Sequence, residues 1–596
     1  MAVLSLAGSA LATEPAVRWE NWSDGAFARA QAERRLVLLD LGAVWCHWCH
    51  VMEETTYKDP RVTELLREHF VAIRVDQDSR PDLSNRYEDY GWPATVVFDA
   101  EGNELVKFAG YIPPPRMAAL LEAVVEDPTP GPSIRPLTPD PSVLTPDPSP
   151  RGRGENAGTV LPEPLRKDLR ALLVQRYDRQ VHGWGFSKKY LDWDSVEYCL
   201  VRARAGDADA KRMAKQTLAA ARKLIDPVWG GLYQYSDRGD WDHPHFEKLL
   251  QFQAEGIRIY AQAYALWHDS ADLQAARDIH RYVRAFLTSP EGAFCVSQDA
   301  DLVPGEHSGE YYALDDAGRR RLGIPRVDTH LYARETAWMV PGLVWLYAAT
   351  KEGAPFAEAL IAGDWLVAHR ALPGGGFRHD AKDAAGPYLG DTIAAGRAFL
   401  ALYAATGDRA WLSRAQSAAD FIGKTFAGEA HGLVSAVSRD RFAAPRPQRD
   451  ENVAVARFAN LLFHYTGRES DRRLADRAMG YLVAPAVAER FSTASVLLAD
   501  AERASEPAHL TVVGPRQDLR ARALLAAALS EPSLYKRVEL WDRREGPLPN
   551  LDVEFPDLER PAAFVCSNGR CSLPAFEPKD LLARAARLNT LAAVSP

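Results

Sequence analysis

Apolar residues fall in two rhythms along this chain, and the change between them divides it. Up to about residue 126 the apolar runs are short: Leu36-Val37-Leu38-Leu39-Asp40-Leu41, Phe70-Val71-Ala72-Ile73-Arg74-Val75-Asp76, Pro93-Ala94-Thr95-Val96-Val97-Phe98 and a run from Glu104 to Ala109. Runs of this length, continuous or alternating, predict buried strands. Between them, the residues after Cys49, Arg61 to His69 and Arg116 to Glu126 carry a helical spacing. The predicted order is strand, helix, strand, strand, helix. The polar stretch Gln77 to Asp89 predicts a solvated loop, with Arg80 and Asp82 as candidates to border a nearby site.

From about residue 127 to 158 no apolar period survives, and Leu-Thr-Pro-Asp-Pro-Ser occurs twice, at Leu137 and Leu144. Such a Pro-rich stretch predicts an extended linker. Beyond it the period is helical, over 163–177, 192–206, 208–225, 248–268, 270–288, 332–350, 354–370, 388–406, 409–426, 450–466, 469–487 and 491–504. Twelve helices make six hairpins, which predicts an (α/α)6 toroid. Tight joins such as Ala205-Gly206-Asp207 alternate with long ones, so the long loops share one end of the barrel. Five of those loops place an apolar residue after glycine: His182-Gly183-Trp184, Gly231-Leu232-Tyr233, Gly292-Ala293-Phe294, Gly376-Phe377 and His431-Gly432-Leu433. The last stretch, 506–596, reads as a small α/β segment, with strands near Leu510, Arg537 and Ala562 and a helix from Leu519 to Ser530.

The fold class expected is therefore multidomain, α/β plus all-α. Its parts are a tail at 1–15, an α/β domain at 16–126, the linker at 127–158, the toroid at 159–505 and the α/β segment at 506–596.

Composition narrows the chemistry. A net charge of −9 without a basic block gives nucleic acid no footing. No apolar run approaches the length of a membrane span, which predicts a soluble chain. The tail ends Ala10-Leu11-Ala12, which fits a cleavage site for export, while the absence of Lys or Arg before it is the pattern of a cytosolic tail; both readings stand. Oligomeric state is not legible. Four of the six cysteines form two close pairs, Cys46/Cys49 and Cys566/Cys571, which favours redox or metal use over a disulfide scaffold.

A strand leading into Cys-x-x-Cys at a helix start is what dithiol chemistry needs. The helix N-terminus favours the thiolate of an exposed Cys46, and Cys49, one turn deeper, resolves the mixed disulfide. Three zinc ligands are also available in Cys46, Cys49 and His50, but a structural zinc site takes four and no further ligand pair follows nearby. The expected cofactor is none beyond the disulfide, with zinc at these three residues as the alternative. Cys566 and Cys571 flank an Asn568-Gly569 turn that brings the thiols together as a second candidate pair.

In the toroid, polar residues gather on the long-loop face: Asp240, His243, His245 and Glu247, then Asp299, Asp301 and Glu310, with Trp184 and Tyr233 as aromatic neighbours. Acids, imidazoles and aromatics at a concave mouth suit a small carbohydrate, and paired acids suit acid/base chemistry. The bland reading of the same residues is loop anchoring and turn capping.

Trp45 before the cysteines, Asp40 six residues upstream and Pro93 opening a strand resemble the thioredoxins. That resemblance implies a thioredoxin fold in which Asp40 takes the proton of Cys49, Pro93 sits beside the disulfide and presents backbone to a client chain, and His47-Trp48 replaces the usual Gly-Pro. A histidine there would tune the pair towards oxidation. More narrowly, Cys46-His47-Trp48-Cys49-His50-Val51-Met52-Glu53, Val75-Asp76-Gln77-Asp78-Ser79-Arg80-Pro81-Asp82 and Gly91-Trp92-Pro93 resemble the spermatogenesis-associated protein 20 family. That family joins a thioredoxin-like domain to a toroid similar to six-hairpin glycosidases and N-acylglucosamine 2-epimerases. Three functions follow as expectations: a thiol–disulfide oxidoreductase acting on protein clients, a sugar-active enzyme with its site in the toroid mouth, or a toroid that only binds a client.

Overall fold

The structure is a computed structural model. It describes residues 17–88, 91–130, 159–383, 385–428, 431–438, 440–490, 492–567 and 569–593. The tail and residues 131–158 of the expected linker lie outside them. The described chain divides into two compact units, and the division does not follow the sequence strictly. The first holds residues up to 80, those from Tyr87 to the linker, and Asp301–His307; the second holds Pro81–Arg86 and the rest.

In the first unit the order is β1 (Trp19–Glu20), α1 (Asp24–Glu33), β2 (Leu36–Gly42), α2 (His47–Thr55), α3 (Pro60–His69), β3 (Phe70–Asp76), β4 (Ala94–Phe98), β5 (Glu104–Ala109) and α5 (Pro114–Glu126); α4 (Pro81–Tyr87), between β3 and β4 in sequence, belongs to the second unit as far as Arg86. The sheet runs β1-β3-β2-β4-β5, parallel as far as β2 and antiparallel beyond it. β2 is central, which is why Val37, Leu38, Leu39 and Leu41 are fully buried and its apolar run is nearly unbroken. Leu38, Met52, Leu66, Phe70, Val97 and Leu121 build the core on one face, and Trp22, Phe27 and Phe98 pack edge to face in another cluster.

This is the expected thioredoxin-like sheet with an extra strand and helix in front. The sequence concealed α1 because its buried face is Ala26, Phe27 and Ala30, too weakly apolar to show a period. The expected loop after β3 instead holds α4, started by Pro81 at its first turn and anchored by Leu83 and Tyr87, four residues apart and both buried.

In the second unit the helices are α6 (Glu163–Gln175), α7 (Trp193–Arg204), α8 (Ala208–Ala221), α9 (Leu250–Trp267), α10 (Ser270–Tyr282), short α11 (Gly309–Tyr312) and α12 (Asp316–Leu322), α13 (Ala333–Thr350), α14 (Gly353–His369), α15 (Leu389–Thr406), α16 (Arg409–Thr425), α17 (Arg449–Thr466), α18 (Glu469–Leu482), short α19 (Pro485–Ala488) and α20 (Ala494–Arg503). Each of the twelve expected spans overlaps one of them, and α14 and α17 start one residue earlier than expected. Packing runs α7 to α9, α13, α15, α17, α20 and back to α7, so these six close an inner ring. Their outer partners are α8, α10, α14, α16 and α18, while α6 packs on α20. The first helix therefore completes the last hairpin. Asp500 of α20 fastens it, accepting from the Leu161 N–H at 2.8 Å and from Arg166 Nε at 2.7 Å.

The five glycine loops share one construction. In each, the apolar residue after the glycine pairs back onto the end of the outer helix: Tyr177 with Trp184, Ile225 with Leu232, Thr288 with Phe294, Ala371 with Phe377 and Ala427 with Leu433. In the last four, the fourth residue of the next inner helix receives that residue's N–H, on Gln253 at 2.6 Å, Thr336 at 3.4 Å, Thr392 at 3.1 Å and Asn452 at 2.8 Å. The apolar residues are thus loop anchors, buried under their own turns. Between the loops lie short strands β6 (Tyr235–Ser236), β7 (Pro244–His245), β8 (Lys248–Leu249), β9 (Ser297–Gln298) and β10 (Val327–Asp328).

The C-terminal segment packs within the same unit. It consists of β11 (Ala508–Val513), α21 (Leu519–Ser530), β12 (Lys536–Trp541), β13 (Ala562–Ser567), β14 (Arg570–Cys571) and α22 (Pro578–Ala593), with sheet order β12-β11-β13-β14.

Candidate functional site

The dithiol sits where β2 ends and α2 begins. Cys46 is the N-cap of α2 and is bonded to Cys49. The Cys49 N–H at the helix start is shared between the Cys46 carbonyl at 3.0 Å and Cys46 Sγ at 3.1 Å. Trp45 directly before it is buried and donates Nε1 to Asp78 at 2.8 Å, while the Val44 N–H donates to Asp76 at 3.2 Å. These two acids of the β3 end hold the loop that presents the cysteines, whereas the sequence pattern puts Asp76 at a strand end and Asp78 in a solvated loop.

Gly42 and Asp40 lie on one face of β2. A Cβ at Gly42 would fall 3.3 Å from Cys49 Sγ, so Cys49 packs on that face, and Asp40 follows about 6.6 Å further down the strand. Burial pushes the Asp40 carboxyl up, against the pull of Arg74, whose Nε donates to it at 2.9 Å. The Trp92–Pro93 peptide is cis, and the Gly110 N–H donates to the Pro93 carbonyl at 2.8 Å.

Two features depart from expectation. Cys46, expected exposed, is buried at 4%, and Cys49 is the partly exposed one. The start of α2 lies under Asp301–His307, where a Cβ at Gly305 would come 3.6 Å from the His50 backbone. Asp301, expected at the toroid mouth, is the centre of this contact. His47 Nδ1 meets its Oδ1 at 2.7 Å and His50 Nδ1 its Oδ2 at 3.2 Å, and the Gly305 N–H donates to Oδ2 at 2.9 Å. Burial would raise this carboxyl, but the bonds from His47 and His50 hold it at about 2. It is therefore an anion at any working pH. The pairing spans 254 residues of sequence, and no local signal announces it. Beside it Trp48, 40% exposed, stacks on Tyr111 at 5.8 Å and offers an aromatic platform next to the disulfide.

The alternative zinc set does not fit this state. Both thiols are consumed in the disulfide, and His50 Nδ1 faces a carboxylate.

Trp184 is buried, with Nε1 on the Leu173 carbonyl at 2.9 Å. Tyr233 is buried in an aromatic box with Phe246 and Tyr312. Asp240 and His243 form an outward pair at 2.8 Å. Asp299 is buried, its N–H on the Arg326 carbonyl at 2.8 Å, and Glu310 is exposed on α11. His245 stacks on Tyr235 and binds Asp237 at 2.7 Å, with buried Glu247 3.9 Å away.

Burial pulls the His245 pKa down, but the carboxylates of Asp237 and Glu247 carry it up to about 9. A folded-state pKa above the unfolded value of about 6.5 stabilises fully below that value and is lost as pH rises to about 9. The stability of wild type relative to His245→Gln is expected to fall across that window, checked by urea midpoints from pH 6 to 9.5; a gap independent of pH would refute the pairing.

Cys566 and Cys571 are bonded and lie opposite each other in the β13–β14 hairpin. Gly569 has the positive φ of +71° that the tight turn requires, and Asn568 lies outside the described residues.

Comparison with known proteins agrees with the first unit's fold. Residues 9–126 match the family model described as "Thioredox_DsbH: Protein of unknown function, DUF255". The chain resembles "Spermatogenesis-associated protein 20" from Homo sapiens, 27% identical over 415 residues, covering 65% of this chain and 49% of that protein. It thus spans about half the length of the curated relatives it matches. It is also similar to "Thiol:disulfide interchange protein DsbD" from Ralstonia nicotianae, 39% identical over 93 residues, 15% of each chain. Among solved structures, a cellobiose 2-epimerase from Bacillus thermoamylovorans is similar at 11% identity and a TM-score of 0.41, covering 54% of this chain and 87% of that one. Among the described residues no helix is long and apolar enough to cross a membrane.

Proposed function

We propose that the first unit performs thiol–disulfide exchange on protein clients. The observation that carries this is the Cys46–Cys49 disulfide at the start of α2, with the Cys49 N–H on Cys46 Sγ and the buried acid Asp40 on the face where Cys49 packs. In the reducing direction, the Cys46 thiolate attacks a client disulfide, forming a mixed disulfide and releasing the client's other sulfur as a thiolate. Cys49 gives its proton to Asp40 and attacks Cys46 Sγ, which expels the second client sulfur. The client gains two electrons, and Cys46 and Cys49 end as the disulfide. The reverse sequence oxidises a client dithiol with the same groups. Trp48 with Tyr111 offers an apolar residue of the client a place to rest, and the strand opened by the cis Trp92–Pro93 peptide would receive the client's backbone as the thioredoxin resemblance implies.

Asp301 acts on this chemistry as a latch. With the start of α2 lying under Asp301–His307, a client approaches the buried Cys46 more readily when that segment yields, and the two histidines hold it through one carboxylate. In a Cys49→Ser background, Asp301→Asn is expected to raise the rate of Cys46 alkylation by iodoacetamide several-fold at pH 8. An unchanged rate would show that the segment does not guard the thiol.

A second reading concerns the toroid, where the inner-ring helices carry polar side chains towards one another. It is that of a module taking a small sugar-like ligand, tested by titrating the full chain with neutral and charged sugars.

A further inference from the structure

The toroid's six inner helices do not close on an apolar core. Arg457 of α17 reaches Glu197 of α7 at 2.5 Å, although α20 stands between those helices in the ring. A contact between ring members that are not neighbours runs across the lumen. Around it, Arg258 of α9 donates to Glu197 at 2.7 Å and to Glu255 at 2.6 Å, and Arg457 also donates to Glu502 of α20 at 2.6 Å. On α13, Arg334, Trp338, Pro341 and Trp345 recur at helical spacing and are half-buried, as is Arg397 on α15. Half-burial in the middle of a double ring of helices marks an axis that solvent reaches.

Each acid of this network has an arginine, yet one arginine has no acid. Arg397 makes no hydrogen bond or ion pair to any described residue. The charges that act on it are Glu255, Arg457, Arg258 and Glu197, from the inner-ring helices α9, α17 and α7. Burial pulls its pKa down and Glu255 draws it back up without bonding to it, so the guanidinium keeps its donors unspent. A guanidinium in such a place is costly to leave unpaired, and its planar fork of donors matches a carboxylate or phosphate. Near the loop end of the same lumen Asp194 of α7 is pushed up to about 7, first by burial and then by Asp192, Asp450 and Glu197. Trp193 and Phe252, half-buried and edge to face at 5.3 Å, stand beside it.

We infer that the lumen is a binding site for a small hydroxylated ligand carrying one anionic group, seated with that group on Arg397. This rests on the reading of the toroid as a sugar-binding module and names its ligand class; it is independent of the dithiol.

Isothermal titration of the full chain with D-glucuronate, D-glucose and inorganic phosphate tests it. Glucuronate is expected to bind, glucose not to, and Arg397→Gln to weaken glucuronate about tenfold or more. Phosphate binding as tightly as glucuronate would overturn the sugar part and leave a bare anion site. Equal binding of glucose and glucuronate would overturn the role of Arg397 while the toroid reading survives, and no binding by any of the three would sink both. The wild-type comparison decides these outcomes even if Arg397→Gln does not fold; if it folds with wild-type melting and binds glucuronate unchanged, Arg397 is not the anchor.

Discussion

Replacing Cys46 by serine is expected to reduce disulfide exchange with a model substrate to background, whereas Cys49→Ser is expected to accumulate a mixed disulfide with its client. The two cysteines are not equivalent in the structure. Cys46 caps α2 and receives the Cys49 N–H, so its thiolate is favoured by the helix start. Serine at that position keeps the cap but supplies an alcohol that stays protonated at neutral pH, which removes the nucleophile. Cys49 packs on the β2 face that carries Asp40, where burial raises the acid's pKa and suits it to take a thiol proton. Without Cys49 the first attack proceeds and the second cannot, so the client remains attached. Non-reducing gels and mass spectrometry of the Cys49→Ser protein read this directly. If Cys46→Ser retains exchange, or Cys49→Ser holds nothing under conditions where wild type turns over, the dithiol reading collapses.

How much of this could be read beforehand depends on how far apart the cooperating residues lie. The dithiol, β2 and Pro93 are local signals: an apolar run, a motif and a proline opening a strand. The twelve ring helices are also local, because each has a long periodic face. What the sequence withheld is pairing at long range. Asp301 looks like any loop acid, and only the fold brings it onto His47 and His50. Arg397 stands among alanines on α15, and nothing in its neighbourhood says that its side chain meets the lumen alone. The converse error has the same origin. Trp184 and Tyr233 share a loop pattern that suggests a ligand-facing mouth, but the pattern serves the turn that buries them. The glycine loops are repeated because each outer helix must be tied to the next inner one, and that requirement is structural whatever the lumen binds.

The second large effect expected is on stability, at Asp226. Its carboxylate is fully buried between two fully buried cations, accepting from Lys248 Nζ at 2.8 Å and from Arg319 Nη1 at 2.7 Å and Nη2 at 3.1 Å. Its backbone also turns the second glycine loop, with the Asp226 N–H on the Gly231 carbonyl and the Val228 N–H on its side chain. Burial alone would raise this carboxyl, but Lys248 and Arg319 hold it at about 2, so it is charged throughout the working range. The aromatic rings of Tyr282 and Tyr233 lie 4.2 and 5.1 Å from the lysine and exclude water from the group. Asp226→Ala therefore strands two cations in a dry interior, which costs about 3–5 kcal/mol when a buried pair loses one partner. Asp226→Asn keeps the turn's acceptor but not the charge and should fall between alanine and wild type. A shift of the urea midpoint, with intrinsic fluorescence as the probe, measures the order. The related pair in the first loop, Asp178 with Lys189 at 2.9 Å, has an acid nearer the surface. Asp178→Ala should cost clearly less than Asp226→Ala; equal losses would mean that the loop turn, not the buried charge, sets the effect.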